Sequence, residues 1–134
     1  MQDSKNLRVA ERAEVLAVAV YRHTASFPSA ERFGLTAQMR RAAVSVASNI
    51  AEGCGRRGNR ALLACLYLAS GEASELTCQL RIATSLGFGD SNAAEALALE
   101  IRHVSRMLAS LVRFLRAHPD WRTDDDGRPE SLSH

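Results

Sequence analysis

The sequence predicts an all-α protein, an antiparallel up-and-down four-helix bundle. Three observations carry this. Of 134 residues, 22 are Ala and 16 are Leu, whereas Val, Ile and Thr together supply 16. Ala and Leu lose little side-chain freedom in a helix, and β-branched residues lose more. Four long stretches repeat apolar residues every three to four positions, the period of a helix that buries one face. Seven of the eight glycines and all three prolines fall between or beyond those stretches, Gly71 being the exception. The length suits one domain and is marginal for two, and 46% hydrophobic content can fill a core. A β sandwich, an α/β nucleotide fold and a disulfide miniprotein are excluded by the same arithmetic.

The first helix is expected from about Leu7 to about Thr24. Ala13, Leu16, Ala17 and Val20 share one face, flanked by Arg8, Arg12 and Arg22. Residues Ser26 to Gly34 form a connector, because Pro28 disfavours helix at Phe27 and Gly34 loosens the restart. Phe27 and Phe33 are expected to anchor that connector to the bundle. The second helix is expected from about Leu35 or Thr36 to about Gly53, with Thr36 placed as its N-cap. Leu35, Met39, Ala42, Ala43, Val46 and Ile50 form its apolar stripe. Its other side is unusual, since Ala42 to Ala51 holds no charge at all. A helix that is small or apolar all round is usually covered all round, and a second copy of the chain is the simplest cover.

The third helix is expected from Asn59, as N-cap, to about Leu86, with Gly87 as its stop. Leu62, Leu66, Ala69, Ala73, Leu76, Leu80 and Ala83 keep helical spacing beside a polar stripe of Glu72, Glu75 and Gln79. After a short turn, Gly87 to Asp90, the fourth helix runs from about Asn92 to about Ala117. Leu97, Ile101, Val104, Leu108, Leu111, Val112 and Leu115 give it the clearest stripe of the four, and Pro119 ends it. The expected division is a bundle over residues 1–118 and an acidic, disordered tail over 119–134.

Charge is balanced overall, at +2, but unevenly spread. Residues 1–118 carry 15 bases against 10 acids, and the last 16 residues carry five acids against two bases. Sixteen of the 17 bases are Arg, whose planar fork suits phosphate and carboxylate. Genomic base composition favours Arg and Ala too, so the bias by itself names no ligand. Cys54, Cys65 and Cys78 are odd in number and lack Cys-x-x-Cys spacing, which points to reduced thiols. No secretory signal and no apolar run of membrane-spanning length is present, so a cytoplasmic location without membrane contact is expected.

The stretch Glu31 to Gly53, ERFGLTAQMRRAAVSVASNIAEG, resembles the signature of the four helix bundle proteins first noticed in intervening sequences of bacterial large-subunit ribosomal RNA genes. Tyr67, Ala69, Gly71, Glu75, Leu76, Gln79, Leu80 and Leu86-Gly87 are similar to the pattern of that family's next helix. The resemblance covers roughly residues 7–117. This chain departs from it at Ala47, where the family often has Pro, which implies a straighter second helix. The accessory variability determinant proteins of diversity-generating retroelements resemble it more distantly. The resemblance implies an antiparallel four-helix bundle and a ring-shaped homopentamer. Its retroelement branch implies nucleic-acid binding and a reverse transcriptase as partner.

The string Gly53-Cys-Gly-Arg-Arg-Gly58 matches G-x-G-x-x-G, but a dinucleotide site needs a strand before it and a helix is expected there. A helix end and tight turn explain its glycines. A phosphate cradle is the sharper reading, because the turn leads into a helix N-terminus beside Arg56, Arg57 and Arg60. Together with Arg40 and Arg41 these form a basic set, with Glu52 the single acid from Arg32 to Arg60. Repeated around a ring, such a set makes a large positive field. The ordinary alternative is that Arg40 or Arg41 pairs with Glu52 or Glu75.

Ser45, Ser48, Asn49, Glu52, Gly53, Glu75 and Gln79 are the candidate oligomer-interface or structural polar residues. The resemblance places Asn49, Glu52, Gly53, Glu75 and Gln79 at characteristic family positions. Glu72 and Glu75 as a catalytic pair is a weaker reading, since i, i+3 is ordinary surface spacing. His23, His103, His118 and His134 lie apart, so no metal and no cofactor is expected. Cys65 and Cys78 read as small core or interface fillers. The expectation is therefore a non-enzymatic, homo-oligomeric scaffold, without catalytic residues, that holds RNA or DNA through Arg40, Arg41, Arg56, Arg57 and Arg60. The alternative is a protein-interaction adaptor with no affinity for nucleic acid.

Overall fold

Helix boundaries follow from local chemistry. The computed structural model describes residues 2–118, and in it four helices follow one another: α1 (Gln2–Thr24), α2 (Leu35–Gly55), α3 (Asn59–Ser85) and α4 (Ser91–Ala117). A short 3-10 turn, Ser29–Glu31, lies in the α1–α2 connector. The α1 helix begins five residues earlier than its apolar pattern suggests, in a polar stretch with no stripe to read. The expected tail over 119–134 lies outside the described residues.

Two expected caps are displaced, by two residues at α2 and by one at α3. Thr36 lies inside α2 and is buried, and Gly34 occupies the cap position without a side chain to offer. Glu31 supplies the missing acceptor, its Oε1 taking the Leu35 N–H at 3.1 Å. A carboxylate there also favours the positive end of the helix dipole. Asn59 is the first residue of α3 rather than its cap, and its Nδ2 donates 3.0 Å to the carbonyl of His118. The α4 helix has a side-chain cap, Asp90, whose Oδ2 accepts from the Ala93 N–H at 2.8 Å. Beyond α3, the Gly87 N–H reaches the Thr84 carbonyl and the Phe88 N–H reaches Ala83, which closes the helix end as expected of Gly87.

Each helix packs on its neighbours in the chain, and α4 closes against α1. Across each seam, partner numbers fall as residue numbers rise, the mark of antiparallel packing. On α2–α3, Arg41 meets Glu75 and Gly53 meets Leu62. On α1–α4, Arg12 meets Glu100 and His23 meets Gly89. The core follows the stripes read from the sequence closely: every α3 and α4 stripe residue is buried, as are Met39, Ala42, Ala43, Val46 and Ile50 of α2, while Ala17 and Leu35 are only partly buried and Val9 and Ala94 join the core. A fully buried Leu such as Leu66 or Leu108 stabilises the fold by about 2 kcal/mol through apolar burial. Phe27 is buried against Phe88, ring centres 5.6 Å apart. Phe33 is not the second anchor, being 85% exposed with the Arg32 guanidinium over its ring.

Candidate nucleic-acid interface

The α2–α3 turn is built by glycines with three different duties. Gly53 lets the helices close up, since a Cβ there would lie 2.8 Å from the Cys65 Cβ and 3.0 Å from Leu62 Cδ1. Gly55 ends α2 in open space. Gly58 takes a left-handed φ of 85° and its carbonyl accepts from the Leu62 N–H at 3.3 Å. A helix precedes the string, so a dinucleotide fold is ruled out at this position. Between those glycines the turn presents Arg56 and Arg57, both exposed, and Arg60 is exposed in the first turn of α3. Arg56 pairs with Glu52 one helical turn back, at 3.0 Å.

The other two members of the basic set lie elsewhere. Arg40 is half-buried, donating from Nε to Thr24 Oγ1 at 2.8 Å and from Nη2 to the Tyr21 carbonyl at 3.2 Å. Its guanidinium also lies 4.6 Å above the Tyr21 ring. It thus completes the carbonyl end of α1, where a cation is favoured, and pairs with neither Glu52 nor Glu75. Arg41 meets Glu75 at 3.5 Å, both side chains being exposed, in the pairing the sequence offered as its ordinary reading. The five arginines therefore occupy three places: the α1–α2 junction, the α2–α3 seam and the α2–α3 turn.

The polar set divides likewise. Asn49 turns back on its own helix, its Nδ2 donating to the Ser45 carbonyl and to Ser45 Oγ at 2.9 and 3.1 Å. Ser48 is exposed. Gln79 is buried and its Nε2 approaches Glu75 Oε1 at 3.5 Å. Gln79 Oε1 and Glu72 Oε1 are buried, with no hydrogen-bond partner in the single chain. Cys65 is buried, and burial together with the Glu52 charge pushes its thiol pKa up, Arg56 opposing, so it remains a neutral filler. Cys78 is exposed rather than core. Among the described residues, no three His, Cys, Asp or Glu side chains gather where one cation could be held.

Sequence reasoning passed over a second basic set. Arg102, Arg106, Arg113 and Arg116 are all exposed on α4. The signal was present, since residues 101–117 hold four Arg and no acid. The strong apolar stripe of α4 drew the reading to its opposite face.

These observations define a class: an antiparallel helical bundle with an arginine-rich surface. The chain belongs to the 23S rRNA-intervening sequence protein family, whose model matches residues 5–110. It is similar in structure to a crystal structure from Bacteroides thetaiotaomicron, described as a protein of unknown function from the S23 ribosomal protein family. The TM-score is 0.73 at 18% identity, over 81% of this chain and 98% of that one. A likeness at that identity speaks to the fold. No curated protein matches the chain.

Proposed function

We propose that the protein is a non-enzymatic, cytoplasmic, homo-oligomeric helical scaffold that holds RNA or DNA by the phosphate backbone. The observation that carries this is the α2–α3 turn, where Arg56, Arg57 and Arg60 are exposed together and Glu52 is the single nearby acid in sequence. Arg forks suit phosphate, and binding of this kind is sequence-tolerant and steeply weakened by salt. Arg40 is engaged in holding α1 to α2, so it leaves the proposed site; Arg41 and Arg56 reach phosphate by exchanging exposed carboxylate partners, which costs little.

Assembly is supported by the outer seam of α2 and α3. Val44, Ser48 and Ala51 are exposed on α2, and Ala64, Tyr67, Leu68 and Gly71 on α3. The antiparallel register fixed by Arg41–Glu75 and Gly53–Leu62 brings these two rows side by side. Such a surface suits a self-interface, and the family resemblance favours five copies. The same seam supports the second reading, a protein adaptor, with a reverse transcriptase as one partner of that kind.

Retention of mixed nucleic acid on the immobilised full chain tests the proposal. Strong retention at low salt that falls steeply toward physiological salt is expected, and replacing Arg56, Arg57 and Arg60 together by Ala should weaken it severalfold without changing assembly size. No retention at low salt, with a stable protein captured instead, establishes the adaptor reading.

A further inference from the structure

The α4 helix carries a row of arginines over residues 101–117, a stretch that contains no acid. Arg102, Arg106 and Arg113 project within about 40° of one another at 3.6 residues per turn, and Arg116 widens the sector to about 80°. From first to last the row measures about 21 Å at 1.5 Å per residue. All four are exposed, and among the described residues none of them forms an ion pair. The α4 acids lie off the row or at its head: Glu100 turns to α1 and pairs with Arg12 at 2.6 Å, and Glu95 precedes the row. Alongside runs an open groove between α3 and α4, lined by Arg81 on the α3 side and by Arg102, Ser105 and, before the row begins, Glu95 on the α4 side. At its far end the row approaches the start of α3, because Asn59 holds the His118 carbonyl next to Arg60. The α2–α3 turn and the last turn of α4 thus lie at the same end of the bundle.

Alignment on one helix face sets this row apart, since other described arginines outside the ion pairs, such as Arg8, Arg22, Arg57 and Arg81, sit on other elements. Arg12, Arg41 and Arg56 each have a carboxylate, and Arg40 has a carbonyl, a hydroxyl and a ring. Four like charges on one rigid helix face repel one another, by a few tenths of a kcal/mol for each close pair. That cost is offset when a polyanion lies along the row. Residues 101–117 contain one aromatic side chain, Phe114, which is half-buried and stacked on His118 at 4.1 Å. Platforms for unstacked bases are therefore missing from this face, whereas a straight ladder of forks matches a regular backbone.

We propose that the Arg102–Arg106–Arg113–Arg116 face of α4, with Arg81 across the groove, is the main docking surface for double-helical nucleic acid, gripped by its phosphates. The α2–α3 turn extends this surface at one end. The inference rests on the nucleic-acid reading above and gives it a location and a ligand form. Duplex RNA and duplex DNA share the backbone charge, so both serve as probes.

Fluorescence anisotropy of the full chain with a 20-base-pair duplex RNA, the matching duplex DNA and oligo-uridine, across a salt series, is the test. The variant carries Arg102→Gln, Arg106→Gln and Arg113→Gln. Because all three side chains are exposed, helix content by circular dichroism and assembly mass should not change. The wild type should bind duplex more tightly than oligo-uridine. The variant should lose about tenfold or more at moderate salt, and its log–log salt slope on duplex DNA should shrink by about 3, near 0.9 per phosphate contact removed. Whether RNA or DNA binds better identifies the source of the backbone. Wild-type binding to duplex that the variant keeps within twofold overturns the α4 surface and leaves the nucleic-acid reading intact. Tighter binding to oligo-uridine than to duplex overturns the duplex assignment. Absence of binding to all three probes at low salt overturns the nucleic-acid reading and this inference with it.

Discussion

Arg40 and Arg57 show how little residue type alone decides. Both belong to the same basic stretch of sequence, yet Arg40 ties α2 to the end of α1 while Arg57 faces solvent in a turn. Arg40→Ala should lower stability by about 1–2 kcal/mol, through two hydrogen bonds and a ring contact, and leave nucleic-acid retention unchanged. Urea denaturation and the retention assay check the two halves. His23 is a second case, invisible as more than a scattered histidine in the sequence. It is buried against Phe27 and against Gly89, where an added Cβ would lie 2.7 Å and 2.9 Å from ring atoms. Gly89 also has φ +80°, so Gly89→Ala should cost on the order of 2 kcal/mol or more. Burial lowers the His23 pKa from 6.5, the Asp90 charge partly opposing, and its Nε2 has no partner. The unfolded chain therefore takes up the proton first. Stability should be full above about pH 7 and should decline as pH falls through 6.5 toward the lower folded value. Removing the imidazole with His23→Gln should flatten that slope in denaturation curves taken between pH 5 and 7.5. Phe33, Thr36 and Asn59 mark the limit of reading at this scale. An isolated aromatic or a capping residue type gives no sign of which neighbour, Gly34 or Gly58, takes the position instead.

The helices themselves were legible, because each is long enough for its apolar period to repeat many times. The stripe residues of α3 and α4 are all buried, and the helix ends lie within one residue of the expected Asn59, Leu86, Asn92 and Ala117. The two helices with weaker punctuation, α1 and α2, extend beyond their apolar pattern: polar residues at the start of α1 and glycines at the end of α2 carry no stripe. The uncharged side of α2 was also legible, and the structure places Val44, Ser48 and Ala51 on its exposed face. What covers that face was not, since a single chain specifies no partner. Gly71 probes this directly. It is exposed in mid-helix with nothing within 4 Å of an added Cβ. Gly71→Ala should therefore raise intrinsic helix stability by about 0.5–1 kcal/mol. Gly71→Arg should keep the helical spectrum and break the assembly, because it places a charge in the proposed seam. An unchanged assembly mass for that variant removes the seam from the interface.

At the scale of the whole molecule, sequence showed the excess of arginine but not its geography. Ion pairs and helix-end contacts engage Arg12, Arg40, Arg41 and Arg56, while Arg102, Arg106, Arg113 and Arg116 line one exposed face of α4. That partition depends on contacts such as Arg12 with Glu100, 88 positions apart, which no local pattern encodes. Among the described residues no helix is long and apolar enough to cross a membrane. One subunit offers a short basic row, and the proposed assembly would multiply it around an axis into a stronger positive field. The account therefore depends most on self-association. Light scattering on tag-free full-length protein, followed through serial dilution, measures it directly. A mass of several 14.6 kDa subunits that persists on dilution is the predicted result, and a well-folded species of 14.6 kDa at every concentration contradicts it.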